Sequence, residues 1–65
     1  MKHKDVHGTA NRLVSTHGFK KASEICGENI TDAYTQQYKH GVNFWYDVIT
    51  TITTMRENEE TNNVD

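Results

Sequence analysis

The chain has 65 residues, one cysteine, no proline and a formal net charge of −2. That length allows one small domain, and the lone Cys26 excludes an intrachain disulfide and a cysteine-based zinc site. A core of this size typically supplies only about 3–5 kcal/mol of net stability, so efficient helix packing or a partner must do what staples do not.

The chain opens without an apolar run suited to a signal peptide, and no stretch has the length and hydropathy to cross a bilayer. Together with a lone thiol, this predicts a cytoplasmic protein. Asn29-Ile30-Thr31 has the form of a glycosylation acceptor, which carries no meaning without export. Met1-Lys2-His3 is the arrangement in which a free amine, two deprotonated amides and the His3 imidazole enclose Cu(II) or Ni(II) in a square plane. His3 and His7, four residues apart, would share one helical face and offer Zn²⁺ two of the four ligands that structural zinc requires. The plainer reading of both is a basic terminus with incidental histidines.

Three helices are expected, at about 5–17, 20–40 and 43–57. Asp5 is suited to cap the first, whose apolar face is Val6, Ala10, Leu13, Val14 and His17. Thr16-His17-Gly18 and Lys39-His40-Gly41 have the form of helix stops: a basic residue against the last carbonyls, then a glycine in the left-handed conformation. At the first stop, Phe19 is placed to fold back on Val14. The second helix presents the small-residue face Ala22, Cys26, Ile30, Ala33 and Tyr34, with a kink or break at Gly27 as the alternative to a continuous helix.

The third helix carries the widest stripe, Phe44, Trp45, Val48, Ile49, Ile52 and Met55. Residues 48–54 are rich in β-branched side chains, which favour strand. Alternation fails there, because Val48 and Ile49 would point to opposite faces, so the helical reading is kept. Residues 59–65 are polar and are expected to form a disordered acidic tail. The predicted whole is a small all-α three-helix bundle over residues 1–58.

The layout Ala10, Leu13-Val14, His17-Gly18, Ala22, Ala33, Gly41, Trp45 and Val48-Ile49 resembles a group of short uncharacterised bacterial proteins. That resemblance covers about residues 5–55 and implies a three-helix fold with a small-residue second helix and a tryptophan in the third. It implies no activity.

No serine stands in a nucleophile motif, and no carboxylate lies beside His17 or His40 in sequence. Cys26, among Ala22, Ile30 and Ala33, reads as a buried apolar residue rather than a nucleophile. No enzyme activity and no cofactor are expected. Charge is uneven: residues 1–21 sum to +4, residues 22–41 to −2 and residues 42–65 to −4. The total argues against nucleic acid. A helix-turn-helix across Gly27 fails in detail, because Glu28 and Gln36 fall where apolar residues belong and Lys39 is the lone full cation of its recognition segment.

The consecutive aromatics Phe44, Trp45 and Tyr46 cannot all face one core, and aromatics at a core margin are enriched at interfaces. The expected function is a helical protein–protein interaction module that self-associates, as a homodimer or higher state, or docks on a larger protein. Tyr38, Phe44, Trp45, Tyr46, Ile49 and Ile52 are its candidate contacts. Weak nucleic-acid binding, terminal Cu(II) or Ni(II) capture, and a mobile-element inhibitor that occludes a host protein are the alternatives.

Overall fold

The computed structural model describes residues 5–62, with side chains to residue 59. Two helices account for it: α1 (Val6–Thr35) and α2 (Lys39–Asn62). Asp5 caps α1 from an extended conformation, its Oδ1 accepting from the Gly8 N–H at 2.9 Å. This satisfies a donor that the helix itself leaves unpaired.

The predicted three-helix bundle is therefore corrected to two helices. Gly18 does depart from helical geometry, with φ 86 and ψ 168, but no linker follows it and helix resumes at once. The helical geometry breaks at the residue where the first stop was expected, but the two helical segments of α1 join directly across that kink with no loop between them. That φ/ψ combination lies far from the left-handed helical well and is essentially open only to glycine. The kink lets Ala10 join Ala22, Cys26, Val48 and Ile52 in one buried cluster, so the segment before Gly18 folds against the rest of the molecule. The alternative break at Gly27 does not occur. α1 is helical through it, with Thr31 Oγ1 donating to the Gly27 carbonyl at 3.1 Å.

The second expected stop is also misplaced. α1 ends at Thr35, not near 40, and α2 begins at Lys39, not 43. Gln37 takes the left-handed conformation (φ 60). Its N–H donates to the Tyr34 carbonyl at 3.0 Å, and the Tyr38 N–H donates to the Ala33 carbonyl at 2.8 Å. These crossed bonds are a Schellman end built without glycine. Lys39 and His40 consequently open a helix rather than close one, at the end where the dipole disfavours cations.

Gly41 serves packing instead. A Cβ there would stand 2.6 Å from Tyr38 Cδ2 and 3.1 Å from Ala33 Cβ, so only a residue without one lets the turn close so tightly.

The β-branched run is helical throughout. Thr51 Oγ1 donates to the Asp47 carbonyl at 2.8 Å and Thr53 Oγ1 to the Ile49 carbonyl at 3.0 Å, which occupies hydroxyls that otherwise compete with helix. Val48 and Ile52 are fully buried, with Phe44, Trp45, Ile49 and Met55 packed around them. Three residues assigned to apolar faces lie outside the core cluster: His17 is exposed, Tyr34 is 76% exposed and Ile30 is only half-buried. No helix among the described residues is long and apolar enough to cross a membrane.

Candidate functional site

The core is made of small side chains. Ala10, Ala22, Cys26 and Ala33 of α1 let the backbones approach, and Val48 and Ile52 of α2 fill the space between. Ile52, Val48 and Cys26 are the largest side chains fully buried. Leu13, Phe19, Phe44, Trp45, Ile49 and Met55 are all only partly covered. A core this shallow leaves much of the apolar payload at the surface.

A different set of residues, of which only Ile49 belongs to that group, forms two rows on one side of the hairpin. On α1, Ser23, Gly27, Ile30 and Tyr34 recur at spacings of four, three and four residues, which places them on one helical face. On α2, Val42, Tyr46, Ile49 and Thr53 recur at the same spacings. The two rows share a side, because Tyr34 and Val42 line one open concavity of about 660 Å³ with Thr35, Gln37, Tyr38 and Lys39. None of the eight row residues carries a charge and none is fully buried. In a chain with 25% charged residues, the two rows form a face with no charge along its middle, bordered by Lys39 at the concavity and by Glu24 and Glu28 beside Gly27.

Of the residues expected to make contacts, Tyr38 and Tyr46 are about half exposed, at 48% and 55%. Ile49 is half-buried in the α2 row. Phe44 and Trp45 are half-buried and meet edge to face, with centroids 5.1 Å apart, which ties them to each other as well as to the core margin. Ile52 lies inside the core, away from any surface. Tyr34, Ile30 and Val42 belong to the face although sequence reasoning assigned Tyr34 and Ile30 to the core and passed over Val42. The repeated 4-3-4 spacing on both helices is the signal that marks them.

Elsewhere, Glu24, Glu28 and Asp32 flank Gly27 and Thr31 in a shallow acidic groove on α1. Lys21 Nζ and Glu24 Oε1 stand 4.0 Å apart on the surface, a pair that contributes little in water. Burial raises the Cys26 thiol pKa by desolvating its thiolate, the opposite of nucleophile activation. His7 is exposed and His3 lies outside the described residues. Among the described residues no three His, Cys, Asp or Glu side chains group as metal ligands. Tyr38 and His40 meet edge to face at 6.2 Å, so His40 adjoins the tyrosine end of the uncharged face. No family model, no curated protein and no solved structure matches this chain.

Proposed function

We propose that this protein is a helical protein–protein interaction module, and that its contact surface is the uncharged face of α1 and α2. The supporting observation is the exposure of Tyr34, Tyr38 and Tyr46 along a face whose other members are Val42, Ile30 and Ile49. Tyrosine offers large, rigid contact area with a hydroxyl that tolerates both water and a partner. Tyrosines and aliphatic residues in the middle of a patch, with a charge such as Lys39 at its margin, match the make-up of interfaces. Thr53 and Ser23 extend the face without adding desolvation cost for a charge.

The test is affinity capture from the native host, comparing the wild-type chain with Tyr46→Glu. Tyr46 is half exposed, so the substitution leaves the fold intact by circular dichroism. A protein retained by the wild type and lost from the variant supports the reading. Identical retention by both chains refutes the assignment of this face.

A further inference from the structure

We propose that residues 6–17 form a helical flap hinged at Gly18, which lifts as a unit and uncovers the buried cluster around Cys26 while the rest of the hairpin stays folded. This goes beyond the contact-surface reading and does not depend on it.

The hinge is a single residue. α1 is helical on both sides of Gly18, and Gly18 alone within it departs from helical φ/ψ. Its φ of 86 and ψ of 168 belong to a region that glycine enters about as readily as the regions of negative φ. Rotation at this one residue carries the chain from the kink to a continuous helix over the 30 residues of α1, about 45 Å long. Nothing crowds the pivot: Gly18 is exposed, and a Cβ built there meets nothing within 4 Å.

The flap is lightly held. Ala10 is its one fully buried residue, and Val6, Leu13 and Val14 are half-buried against the cluster. The other members of that cluster, Ala22, Cys26, Val48 and Ile52, all lie after the hinge. A segment with so small a share of the buried apolar contacts opens at lower free energy than the whole molecule. Lifting it takes Ala10 out of the cluster, and Val48 and Ile52, the largest side chains fully buried, then line a groove that the closed state masks. The hairpin beyond Gly18 keeps α2 and the crossed bonds at Ala33 and Tyr34 that join it to α1. Cys26 is fully buried in the closed state, so its thiol reports the opening.

The experiment measures iodoacetamide alkylation of Cys26 in the purified full chain, from water to just below the urea unfolding transition, beside the equilibrium transition by circular dichroism. The rate should rise with urea at less than about half the equilibrium slope, because that slope scales with the surface exposed and the flap exposes only part of it. Gly27→Ala, at a position helical in both states, should raise the unfolding midpoint and leave the native alkylation rate unchanged. Gly18→Ala should be alkylated at least about tenfold faster with its helical circular dichroism kept, because alanine is strained in the kink and favours the straight helix. Three results overturn the proposal: a urea slope equal to that of global unfolding, a Gly27→Ala chain protected in proportion to its added stability, or a helical Gly18→Ala chain alkylated no faster than the wild type. The first two use chains whose hinge is intact, so they decide the matter even where Gly18→Ala does not fold.

Discussion

The ring of Tyr38 lies against the backbone of Gly41, so that a Cβ built on Gly41 would come 2.6 Å from Tyr38 Cδ2 and 3.1 Å from the Ala33 Cβ. The contact ties the first turn of α2 to the last turn of α1 and sets how tightly the hairpin closes. Gly41→Ala should therefore destabilise the protein by about 1–3 kcal/mol through overpacking, although alanine is the better helix former. Removing the ring in Gly41→Ala/Tyr38→Ala should recover part of the loss, and thermal denaturation of the three chains checks this.

The other glycines should respond in opposite directions. Gly27 is helical, and a Cβ there meets nothing within 4 Å. Gly27→Ala is expected to stabilise by about 0.5–1 kcal/mol. A Cβ at Gly18 also meets nothing within 4 Å, but φ is 86 and ψ 168. Gly18→Ala is expected to cost about 1–3 kcal/mol in backbone strain alone. At about 4–8 °C per kcal/mol for a domain of this size, both shifts are measurable.

Neighbouring residues on α2 should differ sharply in their effect on folding. Ile52 is fully buried among Ala10, Ala22, Cys26 and Val48, so Ile52→Asp places an unpaired charge in the core and should cost about 3 kcal/mol or more, enough to unfold a marginal chain. Thr53 is exposed on the uncharged face. Thr53→Asp should retain helical circular dichroism and lower the melting temperature far less than Ile52→Asp. Equal thermal shifts for the two variants would reject the register of α2.

Cys26 makes a prediction about pH. Its pKa is raised because burial desolvates the thiolate, so the folded chain holds its proton at pH values where the unfolded chain releases it. Stability is unaffected below the unfolded thiol value of about 8.5 and falls as pH rises from there toward the folded value. Chemical denaturation at pH 7 and above 9 should show this loss in the wild type and not in Cys26→Ala. Alkylation of Cys26 at pH 8 should be slow in the native chain and fast in denaturant.

The helical register of α2 was legible without coordinates. Phe44, Trp45, Val48, Ile49, Ile52 and Met55 recur at helical intervals, and burial follows that order, with Val48 and Ile52 innermost. The Asp5 cap was legible too, because capping needs only a short polar side chain just ahead of the helix. Tyr34 was not. Its spacing fits the apolar row of α1, yet it stands at the row's edge near the turn, where α2 does not reach over it.

Amphipathic periodicity is a local property, written in side-chain identities a few residues apart, and the sequence by itself determined most of it: helical apolar spacing before and after Gly18 and again in α2, and a capped start. Where α1 stops and what each glycine does were decided by tertiary structure. Gly18 and Gly41 look alike in sequence, each following a histidine. One supplies a backbone conformation closed to other residues; the other supplies the absence of a Cβ beneath Tyr38 and Ala33. Only the approach of a second helix distinguishes those uses. The same approach turned Gln37, with no glycine's freedom, into the residue that ends α1, because the crossed bonds to Ala33 and Tyr34 and the packing of Tyr38 hold it there.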